Sequence, residues 1–365
     1  MNSHPLFDAG TALVIATLAS WGFGYLLYPI LIAWRIVDHP NERSSHQEPT
    51  ARGGGIAIVL VILSAGLIVS LGKYPRSITV IGACVLVLSV VSFIDDRKPL
   101  PALSRFGFHV CASFVAVTVC FWPELARAVV PAESGALAAL VWTLALLWLT
   151  GYTNAFNFMD GINGLAAGQA ALTALGMGFL CLLSASQWSS PSLLFCFAVA
   201  GAAAGFLPHN FPRARMFMGD VGSAPLGFLL ASLGLLLAME YGWHLLIPFM
   251  LLQANFLLDT GITLVRRVAR GEKWAQAHRE HFYQRLVRAG YSHYFVTGIE
   301  MVLQAGVIVL MWLYIHVGVG IQLGLIGAVV AVWLSFFTYA EVQFRRCQAL
   351  LPDAQPGRHS GGSHL

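Results

Sequence analysis

One short polar stretch separates two long apolar segments. It covers residues 154–165, and its polar side chains are those of Asp160, Asn154, Asn157 and Asn163. A charge beside a bilayer is costly, so Asp160 is by default a candidate functional residue. On a helix, Asn157, Asp160 and Gly164 would share one face, because they are three and four residues apart. Such oxygen ligands suit Mg²⁺, which usually takes one or two protein carboxylates plus phosphate oxygens. A solvated polar cap at a membrane exit is the alternative.

Two adjacent carboxylates, Asp95 and Asp96, end another apolar run. Adjacent carboxylates repel each other, so one of them can act as a base or both can face a cation. The alternative is a polar helix end that Arg97 and Lys98 neutralise. The helix dipole disfavours acids at a C-terminus, which makes a purely structural role less attractive.

A third acid, Asp220, lies between two glycines in the connection 208–223, directly before an apolar run. An aspartate at this place is either a helix N-cap or, near other acids, a cation ligand. In the same connection, Asn210 could hydrogen-bond to a nucleotide base and Phe217 could stack on it.

Two further connections carry positive charge. Residues 39–55 are polar and end in three glycines, whose N–H groups before a helix would be open to a phosphate, with Arg43 and Arg52 adding charge. A flexible turn is the alternative. The last large connection carries His278 and His281 beside Arg279. Its HREH spacing differs from the HExxH of zinc sites, and a basic interfacial helix that binds anionic lipids is the alternative.

The elements that position these residues are apolar helices. The chain has 365 residues, of which 57% are hydrophobic and 10% are charged, whereas a soluble domain has about 25% charged residues. This composition excludes a soluble protein and predicts an all-α polytopic membrane protein. About eleven runs approach membrane-spanning length. The predicted spans are 10–33, 54–72, 77–94, 106–122, 136–153, 164–184, 192–207, 222–239, 243–265, 295–316 and 319–340.

The basic residues predict the orientation, since Lys and Arg concentrate on the cytoplasmic side. With the N-terminus periplasmic and the C-terminus cytoplasmic, all but Lys73, Arg76 and Arg127 of the 21 basic residues lie inside. We therefore predict one catalytic domain, residues 1–345, with its site in the cytoplasmic segments 34–53, 95–105, 154–163, 208–223 and 266–294. Residues 346–365 are predicted to be a disordered tail. The expected partner is the lipid bilayer, and no nucleic acid is expected.

Four ordered motifs resemble those of the polyprenyl-phosphate N-acetylhexosamine-1-phosphate transferases, glycosyltransferase family 4. They are Asp95-Asp96, the NAFNFMDGINGL stretch, the 210–223 segment with FMGDVGS, and the last loop with its histidines. This group includes enzymes that begin O-antigen and enterobacterial common antigen synthesis, and the phospho-MurNAc-pentapeptide translocase. The resemblance extends from His39 to Tyr291 with the motifs in matching order.

The resemblance implies transfer of a sugar 1-phosphate from a UDP-sugar to undecaprenyl phosphate, with Mg²⁺, or Mn²⁺ in its place, as cofactor. The implied catalytic residues are Asp95, Asp96, Asp160 and His281. Implied metal ligands are Asp220, Asp160 and Asn157, and implied substrate contacts are Asn157, Asn163, Asn210, Phe217, Arg279 and Arg52. The site would face the cytoplasm at the bacterial inner membrane. The resemblance leaves open whether the protein forms a homodimer, and whether the lipid phosphate attacks directly or an aspartate first forms a covalent intermediate.

Two departures from the family pattern concern the sugar. Fewer histidines follow His281, and Asn163 replaces the second acid of an Asp-Gly-x-Asp pattern. The last loop resembles that of the O-antigen branch, which implies N-acetylfucosamine, N-acetylquinovosamine or N-acetylglucosamine as the sugar and disfavours the peptidoglycan role. From the residues alone, an ion-coupled transporter is the competing hypothesis, because acids within many helices suit transport. The acids gather at one face, however, which favours an enzyme.

Overall fold

Helices make up most of the chain in the computed structural model, which describes residues 5–38, 49–71, 76–129, 134–184, 190–272 and 278–350. The helices are α1 (Pro5–Ala33), α2 (Gly55–Leu71), α3 (Arg76–Arg97), α4 (Ala102–Ala116), α5 (Trp122–Val129), α6 (Gly135–Phe158), α7 (Leu165–Ser184), α8 (Pro191–Asn210), α9 (Asp220–Tyr241), α10 (Leu246–Leu251), α11 (Ala254–Ala269), α12 (Phe282–Arg288), α13 (His293–Tyr314) and α14 (Val319–Ala349). A π-helical turn, Val117–Phe121, joins α4 to α5.

Nine helical units in the described ranges are long and apolar enough to cross a bilayer. They are α1, α3, the continuous α4–α5 unit, α6, α7, α8, α9, α13 and α14. Helices α10 and α11 meet at a bend of 59° and add a tenth crossing if they form one span, whereas the apolar part of α2, Gly55–Ser70, is shorter. The predicted class, an all-α polytopic membrane protein, is confirmed. The number of eleven spans and the periplasmic N-terminus stay predictions.

Helix α9 is the centre of the bundle, since its apolar segment is entirely buried. A helix that is apolar all round is stable when other helices surround it, and α3, α6, α7 and α8 pack against α9. On the far side, α8 packs closely on α1, because Cβ atoms at Gly201 and Gly205 would lie only 2.3 and 2.2 Å from backbone oxygens of α1. Small residues four apart permit such approach between membrane helices. Helix α9, which begins with Asp220, is therefore fixed by the helices packed around it.

A small sheet joins two of the polar connections, which the all-α prediction did not include. Strand β1 (Val37–Asp38) pairs antiparallel with β2 (Thr50–Arg52), and β2 pairs parallel with β3 (Met216–Phe217). The N–H groups of Gly54 and Gly55 continue this pairing and donate to the carbonyls of Phe217 and Met218, both at 2.8 Å. The prediction that these two N–H groups are open to a phosphate is therefore wrong, because the sheet uses them.

Helix α6 ends earlier than the shared-face prediction requires. Its last residue is Phe158, so Asn157 lies on the helix while Asp160 and Gly164 lie in the connection to α7. The prediction of one helical face for these three residues is wrong. Gly164 has φ +79°, a left-handed conformation that favours glycine and that a continuous helix would not contain.

The predicted limits of two segments also change. Helix α14 continues to Ala349, so the first residues of the predicted disordered tail are helical, and residues 351–365 lie outside the described part. Residues 39–48, with Arg43, and residues 273–277 of the last loop also lie outside it.

Candidate functional site

Asp96 caps the helix that carries Asp220. Its two carboxylate oxygens accept the N–H groups of Asp220 at 3.1 Å and Val221 at 3.0 Å, the first two residues of α9. The first N–H groups of a helix lack intrahelical partners, and a carboxylate there is also favoured by the helix dipole. Asp220 itself is not the N-cap, which was the structural alternative from the sequence. The Asp96 side chain is fully buried and thus joins the end of α3 to the start of α9.

Arg52 of β2 bridges two acids that are far apart in sequence. Its Nη2 lies 2.8 Å from Asp96 Oδ1 and 3.2 Å from Asp220 Oδ1. Burial opposes the charge of Arg52, but Asp96 and Asp220 outweigh this effect and raise the pKa of the guanidinium. Phe217, opposite Arg52 in the sheet register, is half-buried beside this pair.

Arg105 of α4 makes a second bridge, which the sequence had not singled out. Its Nη1 lies 3.0 Å from Asp95 Oδ2 and 3.3 Å from Asp220 Oδ2. Asp95 also accepts the N–H of Leu100 at 2.6 Å. The neighbouring acids of α3 therefore have different partners, since Asp95 meets Arg105 and Asp96 meets Arg52.

Asp160 lies near the same cluster, and its pKa is raised above the ordinary value of an aspartate. Burial and the charge of Asp220 raise the pKa of Asp160 to about 7, with Asp96 adding to the rise, against the opposing effects of Arg52 and the Gly219 N–H. Burial is the larger cause, because it removes the water that would stabilise the charged carboxylate. Nearby on α6, Asn157 donates through Nδ2 to Ser223 Oγ at 2.8 Å, which leaves its amide oxygen as a ligand atom.

Asn210 and Asn163 fasten the connections that follow α8 and α6. Asn210 is buried, and its Oδ1 accepts the Gly164 N–H at 2.7 Å while its Nδ2 donates to Met216 O at 3.0 Å. Asn163 donates through Nδ2 to Pro212 O at 3.2 Å. Two of the predicted substrate contacts, Asn163 and Asn210, therefore lie where the two connections meet, and the Asn210 side-chain amide already has a hydrogen-bond partner at its oxygen and at its nitrogen.

His281 reaches the site from the other end of the chain. It is buried, and its Nδ1 lies 2.9 Å from Asp259 Oδ1, on α11. Its ring stacks on Phe158, at 6.2 Å between centroids, and on Tyr283, at 5.9 Å. The Tyr283 hydroxyl donates to Phe158 O at 3.1 Å. The start of α12 is therefore attached to the last residue of α6, which is two residues before Asp160.

Ion pairs hold the backbone that precedes His281. Glu280 lies 3.5 Å from Arg267 Nη1 and also pairs with Arg270. Burial, His281 and Arg267 lower the pKa of His278 to about 4, so this imidazole is neutral at neutral pH. Arg279, predicted to contact diphosphate, accepts a hydrogen bond through its carbonyl from the Arg288 guanidinium at 3.1 Å.

The structure thus brings Asp95, Asp96, Asp160 and Asp220 together, and it adds two residues that sequence reasoning had not singled out. These are Arg105 and the buried His109, which bonds to Asn154 at 3.1 Å. His109 lies one helical turn after Arg105, so both are on one face of α4. The signal for Arg105 was its position shortly after the acid pair, whereas nothing in the spacing linked Asp259 to His281.

Comparison with known proteins decides the family. Residues 78–238 match the family described as glycosyl transferase family 4. The decaprenyl-phosphate N-acetylglucosaminephosphotransferase of Mycolicibacterium smegmatis is 33% identical over 302 residues, which cover 72% of this chain and 71% of that protein. The chain belongs to glycosyl transferase family 4. Within glycosyl transferase family 4, a probable undecaprenyl-phosphate N-acetylglucosaminyl 1-phosphate transferase of Bacillus subtilis is 29% identical over 77% of this chain and 79% of its own. A phospho-N-acetylmuramoyl-pentapeptide-transferase of a Synechococcus species is 36% identical over 61% of this chain and 67% of its own.

The glycosyl transferase family 4 match includes the four clustered acids, while Asp259 and His281 follow the matched residues. The family and the names of the relatives support a polyprenyl-phosphate sugar-1-phosphate transferase. The apolar helices and the relatives together indicate an integral bacterial membrane protein. These matches favour the transferase over the ion-coupled transporter.

Proposed function

We propose that this chain transfers an N-acetylhexosamine 1-phosphate from a UDP-sugar to undecaprenyl phosphate. An oxygen of the lipid phosphate attacks the sugar-bearing phosphorus, the bond from this phosphorus to the oxygen of UMP breaks, and UMP leaves. The products are a lipid-linked diphosphate sugar and UMP. The observation that supports this reaction best is the cluster of four carboxylates and two arginines, contributed by separate connections at one end of the bundle.

A divalent cation fits the donor set of this cluster. Among the described residues, no three His, Cys, Asp or Glu side chains form a metal site by themselves. Mg²⁺ commonly takes only one or two protein carboxylates and completes its shell with phosphates and water. Asp160 and Asp220, with the amide oxygen of Asn157, are the ligands we propose for Mg²⁺, with Mn²⁺ as a substitute. When bound, the cation would neutralise the diphosphate and stabilise the negative charge of the transition state.

The chain's own groups supply orientation and positive charge. Asp95 lies beside Arg105 and is our candidate to orient the lipid phosphate, while Asp96 fixes the start of α9. Arg52 and Arg105 can donate to phosphate oxygens, since guanidinium groups match phosphate geometry.

Diphosphate and uridine contacts are proposed for residues from two connections. His281 and Arg279 would bind the diphosphate from the last loop. Asn163 and Phe217 would contact the uridine, and Asn210 would act by holding the connection in place.

The donor and the pathway follow from the same proposal. N-acetylglucosamine 1-phosphate has the support of the relatives' names, and the 6-deoxy sugars N-acetylfucosamine and N-acetylquinovosamine stay in the panel on the resemblance of the last loop. We propose that the product begins O-antigen or another surface polysaccharide at the inner membrane, with the site facing the cytoplasm.

The test is UMP release by the purified protein in detergent. Each reaction contains undecaprenyl phosphate, Mg²⁺ and one of four donors: UDP-N-acetylglucosamine, UDP-N-acetylgalactosamine, UDP-N-acetylfucosamine or UDP-N-acetylquinovosamine. The lipid product is identified by mass spectrometry. Asp220→Asn should reduce release at least about 100-fold, a typical cost of removing one transition-state contact. Glu124→Gln is the matched control, because Glu124 is exposed, pairs with Arg127 and is distant in sequence from the cluster.

We expect UMP release that requires the lipid, that EDTA abolishes and that is fastest with one preferred UDP-sugar. No release with any donor, from protein with a normal unfolding transition, would contradict the proposed reaction. Equal loss in Asp220→Asn and Glu124→Gln would contradict the site.

A further inference from the structure

Asp259 is a buried carboxylate whose two oxygens have distinct partners. Oδ1 lies 2.9 Å from His281 Nδ1 and accepts the Thr263 hydroxyl at 3.2 Å. Oδ2 accepts the backbone N–H of Phe282 at 2.9 Å. A carboxylate can only accept here, so Nδ1 of His281 must carry a hydrogen and donate it to Asp259.

The hydrogen bond to Asp259 occupies Nδ1 and not Nε2, the second ring nitrogen of His281. The ring is held by stacking on Phe158 and Tyr283. Phe158 directly follows Asn157, so the imidazole lies beside the segment that carries the proposed cation ligands. Asp259 itself has no place among the four clustered acids.

We propose that Asp259 is a positioning residue that fixes His281 with its hydrogen on Nδ1 and presents Nε2 to the substrate diphosphate. A carboxylate that orients a functional imidazole in this way recurs in unrelated proteins. The proposal concerns the site under Proposed function and rests on it for the identity of the substrate.

The charged and titratable groups around this pair leave its geometry intact. His278, at 4.9 Å between ring centroids, faces His281 from the same loop. Arg267 of α11 pairs with Glu280 at 3.5 Å, and neither replaces Asp259 at Nδ1. Asp259 is therefore the partner that determines which nitrogen carries the hydrogen.

An amide at this position should reverse the arrangement. In Asp259→Asn, the Phe282 N–H still needs an acceptor, so the amide oxygen takes the place of Oδ2 and the NH₂ group faces His281 Nδ1. An NH₂ group cannot accept a hydrogen bond, so Nδ1 would lose its hydrogen and Nε2 would carry it.

The experiment measures this tautomer and the transfer rate in the same full-length protein. Histidine is labelled with ¹⁵N, and the His281 signals are assigned from the spectrum of His281→Gln. We expect a protonated Nδ1 in the unsubstituted protein and a bare Nδ1 in Asp259→Asn, with kcat/KM lower by about 100-fold. Thr263→Val is the matched control, because it removes another hydrogen bond to the same oxygen of Asp259 and leaves His281 bonded.

Two results would overturn the proposal. One is a bare Nδ1 on His281 in the unsubstituted protein, a reading that needs no variant to fold. The other is a transfer rate in folded Asp259→Asn equal to that of Thr263→Val. If the unsubstituted protein transfers no sugar phosphate at all, the proposed function fails, while the ¹⁵N spectrum still decides whether Asp259 sets the tautomer.

Discussion

Replacing Asp96 by Asn should destabilise the protein, whereas the same change at Asp95 should not. Asp96 accepts two N–H groups at 3.1 and 3.0 Å and pairs with Arg52 at 2.8 Å. An amide must turn its NH₂ toward one of these donors, which leaves a buried donor unsatisfied at about 1–3 kcal/mol. Arg52 is about one-third exposed, so loss of its pairing adds only about 1 kcal/mol. The expected cost for Asp96→Asn is about 2–4 kcal/mol.

Asp95→Asn is the matched comparison on the same helix. Its Oδ1 accepts the Leu100 N–H, which an amide oxygen preserves, and its Oδ2 faces the half-exposed Arg105. Because the Arg105 side chain is partly exposed, loss of its pairing with the buried Asp95 costs less than about 1 kcal/mol.

Thermal unfolding in detergent and UMP release, measured on both variants, separate stability from chemistry. We expect both variants to transfer slowly and only Asp96→Asn to unfold at a lower temperature. An inactive Asp96→Asn with the original unfolding temperature would refute the capping role, and equal destabilisation by both changes would refute the partner assignment.

Three further predictions concern other parts of the bundle. Gly219→Ala should cost about 1–2 kcal/mol from its φ of +74°, plus displacement of the capping carboxylate oxygen 2.7 Å from the new Cβ, whereas Gly82→Ala meets nothing within 4 Å and should be neutral or stabilising in thermal unfolding. Glu300→Gln should change stability by less than about 1 kcal/mol, because the new amide can still accept from Asn255 Nδ2, which lies 2.7 Å from the carboxylate, and can donate to the Asn255 side-chain oxygen. Glu300→Leu should cost about 1–3 kcal/mol in the same assay, because it leaves Asn255 without this partner, and equal losses in the two variants would contradict this account. The folded-state pKa of His278, about 4, lies below its ordinary 6.5, so the unfolded chain binds a proton first and stability falls as pH drops from about 6.5 to 4; His278→Gln should flatten that slope in unfolding curves, and an unchanged slope would contradict it.

Part of the site was predictable because acids are rare in this chain. Asp95, Asp96, Asp160 and Asp220 each stand at the end of an apolar run, and charges there are unusual enough to mark a site. Their convergence followed from the orientation of the helices. Their partners did not follow, because Arg52 and Asp220 are 168 positions apart and no local pattern connects them. The shared face of Asn157 and Asp160 failed because helical spacing assumes a helix that ends beyond both.

The sequence by itself determined the class of the protein and the family. Long apolar runs have few choices in a bilayer, since the backbone must satisfy its own hydrogen bonds there, and helices do so within one segment. The tertiary structure decided which partners each acid has. Burial and distance assign Asp96 to the start of α9 and Asp95 to Arg105, and they attach Asp259 to His281. Hydrogen bonds and ion pairs act over about 3 Å, so they depend on how separate helices pack, which no spacing along the chain records.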